Sequence, residues 1–188
     1  MVQVPIEISA RHCHLNAADL AQLFGAGYKL KSLKKVSQPG QYASAETLTI
    51  KGPKAELGLR IVAPLRAKTQ IELAITDCLR LGIKPVLRVS GQVAKTPGAL
   101  LIGPKGQVRL KQGVIVAVRH LHLSDKEANL LKLKNGQRIA VKIKGPRALT
   151  LENVVVRSGK KHKKALQLDT DEGNACAWHP GLKAEIIR

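Results

Sequence analysis

The stretches Ile8-Ser9-Ala10-Arg11-His12-Cys13-His14-Leu15-Asn16 and Val116-Ala117-Val118-Arg119-His120-Leu121-His122-Leu123-Ser124 are two copies of one phrase, and together they hold four of the six histidines. In each, an apolar run leads into Arg-His-x-His-Leu, a helix-capping residue follows at once, and an acid stands three residues beyond it, Asp19 or Glu127. Residues i and i+2 of a strand project from one face, roughly 6.5 to 7 Å apart at the backbone, so two imidazoles can converge on one ion. A single pair of this kind arises by chance about as readily as for a metal. The repeated arginine, leucine and helix start point to a duplicated metal site. Zinc in a catalytic site usually takes three protein ligands and keeps a fourth position open, so each pair needs a partner from elsewhere. The metallo-hydrolase pattern continues into an Asp-His pair, whereas Leu-Asn and Leu-Ser follow here; cupin-like sites place a glutamate a few residues on, and no acid precedes Asp19 or Asp125.

Working outward, Val2, Val4, Ile6 and Ile8 alternate as on a strand with one buried face. Asn16 then caps a helix carrying Leu20, Leu23 and Phe24, ended by Gly25. In the second copy Val114, Val116 and Val118 lead to Ser124, which forms a capping box with Glu127 for a helix with Ala128, Leu131 and Leu133. The remainder reads as short strands between turns such as Gln38-Pro39-Gly40, Gly103-Pro104-Lys105-Gly106 and Lys144-Gly145-Pro146-Arg147. The repeat extends into them. Thr47-Leu48-Thr49-Ile50-Lys51-Gly52-Pro53 matches Ile139-Ala140-Val141-Lys142-Ile143-Lys144-Gly145-Pro146, and Gln70-Ile71-Glu72-Leu73 falls near Ala165-Leu166-Gln167-Leu168. The expected fold is mainly β with short helices, as two pseudo-symmetric β-barrel domains from an internal repeat. Residues 1–90 form the first, with His12, His14 and Glu72, and residues 91–188 the second, with His120 and His122. The boundary is expected between Val89 and Pro97, where Ser90-Gly91-Gln92 and Thr96-Pro97-Gly98 break the pattern.

A repeat offset of 108 residues in a chain of 188 accords with two small cores. No apolar run is long enough to span a membrane, and Met1-Val2-Gln3-Val4-Pro5 lacks the layout of a signal peptide, so a soluble, cytoplasmic protein is expected. Three cysteines with no Cys-x-x-Cys pair read as reduced thiols, and Cys13, between two histidines, points to the opposite strand face and into the core. The formal charge of +19 attracts polyanions, but one Phe, one Trp and two Tyr leave little to stack on bases. Lys34-Lys35 and the basic run 160–164 read as solvated loops. A phosphorylated small molecule fits the charge equally well.

Arg-His-x-His twice, Val36-Ser37-Gln38-Pro39-Gly40-Gln41-Tyr42, Lys68-Thr69-Gln70-Ile71-Glu72, Leu101-Ile102-Gly103-Pro104-Lys105-Gly106 and Leu168-Asp169-Thr170-Asp171-Glu172-Gly173-Asn174-Ala175 span nearly the whole chain. In this combination the chain resembles the propanediol-utilisation phosphotransacylases, the phosphate propanoyltransferase family. The resemblance implies two β-barrel domains, two zinc ions, and exchange of phosphate and coenzyme A on a short acyl group such as propanoyl or acetyl. It further implies that His120, His122 and Glu72 hold one zinc, and His12, His14 and the residue at Gln167 the other. The family has a histidine where this chain has Gln167. An amide offers only a neutral oxygen, a poorer zinc ligand than imidazole, so that site is expected to be weak or completed by another group. His162 and His179 read as exposed rather than as substitutes.

By the same resemblance Arg66 and Glu72 are catalytic, Arg66 binds phosphate with help from Arg157, and Ser9, Ala10, Arg11 and Asn174 contact CoA. For Arg11 and Asn174 a structural hydrogen bond is an equal alternative. The chemistry is coherent without the name: zinc converts a bound thiol to thiolate, a second cation can stabilise the oxyanion formed on the acyl carbonyl, and an arginine fork suits the departing phosphate. Three alternatives stay open: a zinc hydrolase, a transacylase made degenerate at Gln167, and, more distantly, a basic nucleic-acid-binding barrel. Family members packaged in bacterial microcompartments often carry an N-terminal extension. This chain starts almost on its first strand, so the cytoplasm is expected rather than the microcompartment lumen. Barrel edges and basic faces permit a homodimer.

Overall fold

The computed structural model describes residues 2–187. In order the chain forms β1 (Gln3–Ile8), β2 (His12–His14), α1 (Ala17–Phe24), β3 (Ser32–Lys35), β4 (Tyr42–Lys51), β5 (Glu56–Ala63), β6 (Gln70–Glu72), α2 (Ile75–Leu81), β7 (Leu87–Arg88) and β8 (Ala99–Ile102). It continues through β9 (Gln107–Leu110), β10 (Val114–Ala117), β11 (His120–Leu123), α3 (Asp125–Leu130), β12 (Arg138–Ile143), β13 (Leu149–Ser158), β14 (Ala165–Leu168), α4 (Thr170–Ala175) and β15 (Lys183–Ile187). The capping chemistry places the helices. Asn16 Oδ1 accepts from the Asp19 amide at 2.7 Å, and Gly25, at φ +102°, closes α1. Ser124 and Glu127 form the capping box of α3, which ends at Leu130, so Leu131 and Leu133 enter the core from beyond the helix. Among the described residues no helix is long and apolar enough to cross a membrane.

The chain divides into two compact units. One comprises Met1–Ser9, Ser37–Pro39 and Val118–Arg188 and contains a closed barrel in the order β1-β14-β11-β13-β12-β15. The other comprises Ala10–Val36 and Gly40–Ala117 and contains an open, curled sheet in the order β7-β10-β6-β2-β5-β4-β8-β9, with β3 on β4. The mainly β class with four short helices is as expected, although only one of the two related sheets closes. The units also differ from contiguous halves 1–90 and 91–188. β1 pairs with β14 and β15 and closes the barrel, while β10 runs parallel to β6 and extends the open sheet. Each strand that leads into an Arg-His-x-His phrase therefore belongs to the unit of the other copy. Alternation in a sequence tells which face of a strand is buried but not which strand it joins.

Each unit has its own core. Cys13, Leu15, Ile50, Leu59, Ile61, Ile71, Leu81 and Leu101 fill the open-sheet unit, and Val4, Leu121, Leu123, Val141, Ile143, Val154, Val156 and Leu166 fill the barrel. The two halves share one pairing scheme. β2 lies parallel to β5 and antiparallel to β6, and β11 lies parallel to β13 and antiparallel to β14.

Candidate metal centre

That scheme places the histidines. In the open-sheet unit His12 faces Glu72 across β2 and β6, and His14 faces Gln70. In the barrel unit His120 faces Gln167 across β11 and β14, and His122 faces Ala165. Cross-strand partners share a face of the sheet, so Glu72 stands to the first pair as Gln167 stands to the second. The structure thus groups Glu72 with His12 and His14, where the resemblance led to His120 and His122, and sets Gln167 beside His120.

One donor atom each of His12, His14 and Glu72 lies within 4.8 Å of the other two, and among the described residues no other three or more His, Cys, Asp or Glu side chains come together in this way. The His12 Nδ1 donates to the Ala10 carbonyl and the His14 Nδ1 to the Val62 carbonyl, both at 2.9 Å. A carbonyl only accepts, so each ring is held with Nδ1 protonated and Nε2 open, the tautomer a metal ligand needs. Glu72 divides its two oxygens. Oε1 accepts from the Gln70 amide at 2.6 Å and the Ser90 hydroxyl at 2.7 Å, whereas Oε2 faces His12 Nε2 at 3.8 Å. The set fits a tetrahedral zinc with two imidazoles, one carboxylate oxygen and an open fourth position.

The electrostatics favour the forms that bind metal. Burial, Arg66 and His12 press His14 from 6.5 down to about 3, so it is neutral through the physiological range. Burial would raise the Glu72 carboxyl, but His12, the Ser90 hydroxyl, His14 and Arg66 together hold it at about 2, so it is ionised. Cys13, between the two ligands, points the other way. Burial pushes its thiol up to about 12, which removes it as a ligand.

Arg66 stands at the edge of this cluster, its backbone amide tied to the Leu15 carbonyl and its Nη1 donating to Ser90 Oγ at 3.1 Å. Ser90 therefore joins the guanidinium to the carboxylate, and Gln70 completes the link, accepting from the Gly91 amide at 2.7 Å. Sequence reasoning missed both residues. Gln70 was detectable, since it shares a face with Glu72 at i and i+2. Ser90 lay in a segment read only as a boundary, with no motif to mark it.

In the barrel unit the Nε2 atoms of His120 and His122 approach to 3.1 Å, and His120 Nδ1 donates to the Val118 carbonyl at 2.9 Å. His122 is different: its Nδ1 faces the Nδ1 of His162 at 3.3 Å, and His162 in turn contacts the Arg157 carbonyl at 3.0 Å. His162 is half-buried against the second pair, contrary to its reading as an exposed loop residue, because Gly159 and the turn after β13 fold it back. His179 is exposed. Gln167 donates through Nε2 to Glu7 at 2.5 Å. Arg157 is the register partner of His122 on β13.

The residues implied for CoA are less concentrated. Arg11 donates to Asp77 at 2.8 Å and to the Gly58 carbonyl at 3.2 Å. Its counterpart Arg119 likewise pairs with Glu172 at 2.6 Å. Both copies thus use the arginine before the histidines to grip the helix that follows the antiparallel partner strand, α2 after β6 and α4 after β14. The Ser9 amide bonds the Leu168 carbonyl, Ala10 is exposed and lends its carbonyl to His12, and Asn174 is exposed on α4.

Residues 5–179 match the family model described as phosphate propanoyltransferase. Similar curated proteins carry the same description. One from Rhodobacter capsulatus is 43% identical over 92% of this chain and 80% of its own. Another, from Alkaliphilus metalliredigens, is 39% identical over 100% of this chain and 89% of its own, and one from Priestia megaterium is 44% identical over 92% and 80%.

Proposed function

Because the chain belongs to the phosphate propanoyltransferase family, we propose that it transfers a propanoyl group between phosphate and coenzyme A, and that it does so with a zinc ion held by His12, His14 and Glu72. The observation that carries the metal reading is the convergence of those three donors, with His14 held neutral and Glu72 ionised. Zinc bound there would supply a thiol of lowered pKa, so that CoA sulfur is a thiolate at neutral pH. In acyl transfer that sulfur bonds to the acyl carbon, the bond from the acyl carbon to the phosphate oxygen breaks, and inorganic phosphate leaves.

The protein's own groups prepare this step. Glu72 offers Oε2, because Gln70 and Ser90 occupy Oε1. Arg66, with its planar fork, suits the phosphate and its accumulating charge, and Ser90 holds its Nη1. Arg157 is proposed to assist with phosphate, and Ser9, Ala10, Arg11 and Asn174 to contact CoA. A homodimer and residence in the cytoplasm belong to the same reading. The replacement at Gln167 does not argue for a degenerate enzyme, since it falls in the other copy and leaves His12, His14 and Glu72 complete.

The test is formation of propanoyl-CoA from propanoyl phosphate and CoA, with acetyl phosphate in parallel, before and after chelation. Turnover that needs CoA, ceases on chelation and returns with zinc supports the reading. Release of phosphate without CoA points to the hydrolase, and turnover indifferent to chelation removes the metal from the mechanism.

A further inference from the structure

The peptide group between Leu15 and Asn16, directly after His14, is held at both polar ends by one loop. Its carbonyl accepts from the Arg66 amide at 2.9 Å, and its N–H donates to Thr69 Oγ1 at 3.0 Å. A trans peptide is planar and points these two groups in opposite directions. The loop 64–69, which connects β5 to β6, therefore straddles the group rather than touching it at one point. Thr69 is buried, and its single hydroxyl proton goes to Asp19 Oδ2 at 2.5 Å, a short bond of the charge-assisted kind. Asp19 is in turn fixed to the start of α1. Its amide donates to Asn16 Oδ1 at 2.7 Å, and its Oδ2 accepts from Asn16 Nδ2 at 3.1 Å.

The second copy closes the same helix start without outside help. There the Ser124 amide donates directly to Glu127 Oε2 at 2.9 Å, an acid in the first turn of its own helix. In the first copy the acid is one methylene shorter, and the Asn16 amide is linked to it through the Thr69 hydroxyl. A helix cap needs no side chain from another element, so the insertion of Thr69 adds something else: it ties the loop that carries Arg66 to the backbone that carries His14. The tie is close to the site. Arg66 lies three residues before Thr69, and Gln70 and Glu72 follow on β6. Ser90 holds the tip of the Arg66 side chain at 3.1 Å, whereas Leu15 and Thr69 hold its root.

We propose that Thr69, oriented by Asp19, is a positioning residue for Arg66: it clamps the loop 64–69 to the peptide after His14, so that the guanidinium fork meets the substrate phosphate from a fixed root. The proposal rests on the reading of Arg66 as the partner of that phosphate. Thr69 and Asp19 act through Arg66 rather than by touching the substrate.

The test uses the zinc-loaded full chain, with inorganic phosphate as the probe in calorimetry and both KM values measured in parallel. Thr69→Val keeps the branched shape and removes the hydroxyl. Phosphate affinity should fall about tenfold, the effect of losing one buried bond to a charged group, and the KM for propanoyl phosphate should rise to match. The KM for CoA and the zinc content should stay at their native values. Thr69→Ser restores the hydroxyl and should restore both phosphate readouts. Asp19→Asn removes the charge that orients the hydroxyl and should give a smaller change of the same sign; it decides by the same readouts should Thr69→Val fail to fold. Unchanged phosphate affinity in these variants, a KM for CoA that rises in step with that for propanoyl phosphate, or a Thr69→Ser variant as impaired as Thr69→Val overturns the proposal, because the bond then serves only the stability of α1. A native chain that binds no phosphate overturns it too. Weakened phosphate binding in Thr69→Val, in a protein whose native form makes no propanoyl-CoA, would support the clamp and strike the transferase reading instead.

Discussion

The two Arg-His-x-His copies occupy equivalent places in equivalent strand pairings and yet differ in charge. Opposite His12 is a carboxylate, Glu72, whose second oxygen is held by Gln70 and Ser90. Opposite His120 is an amide, Gln167, with its carboxylate, Glu7, one strand further away. The imidazoles differ too. His12, His14 and His120 each donate Nδ1–H to a backbone carbonyl, which dictates the tautomer, whereas His122 faces the ring of His162, which can donate or accept. The comparison teaches that a duplicated backbone supplies geometry to both copies, while the charge and tautomer that make a metal site tight are set by a few side chains around it.

The largest expected effect breaks the first copy at its carboxylate. Glu72→Gln turns it into an analogue of the second, and propanoyl-CoA formation should fall by at least about a hundredfold, since losing a ligand exceeds the 10- to 100-fold cost of losing an outer partner. A rate within a few-fold of native would mean that Glu72 holds no essential metal. Ser90→Ala tests the link between Glu72 and Arg66 and should cost less. Zinc affinity should drop about tenfold, and the KM for the acyl phosphate should rise as Arg66 loses its anchor; an unchanged KM would separate Arg66 from phosphate.

A pH experiment on metal-free protein sharpens the comparison further. Folding lowers His14 from 6.5 to about 3 and Glu72 from 4.5 to about 2. Both groups bind fewer protons folded than unfolded, so their stabilisation is complete above pH 6.5 and is lost as the pH falls, first through His14 and then below 4.5 through Glu72 as well. The melting temperature of the native chain should decline from pH 6.5 downward, and that of His14→Gln should decline less between pH 6.5 and 4.5. Parallel curves would refute the assignment. The smallest effect concerns the paired arginines. Arg11→Ala and Arg119→Ala each remove a partly exposed ion pair worth about 1 kcal/mol or less. If Arg11 also contacts CoA, only Arg11→Ala should raise the KM for CoA.

Much of this was legible in the chain. The caps at Asn16 and Ser124 and the alternation of Val4 and Ile6 are local signals, and local physics produced the elements they announce. The duplication was equally plain, as were the ligand types. Register and pairing were not. Nothing in the pattern of β1 or β10 says which neighbour it joins, and so the compact units and the partner of Glu72 could not be read. Ser90 was invisible for another reason: its contacts with Glu72, Gln70 and Arg66 are made by tertiary folding, with no repeating neighbour to mark it.

The most direct test of the central claim is anomalous scattering at the zinc edge from crystals of the zinc-loaded, active enzyme. The account predicts a peak bonded to His12 Nε2, His14 Nε2 and a single oxygen of Glu72, Oε2. Active crystals with no peak between those three side chains would contradict it.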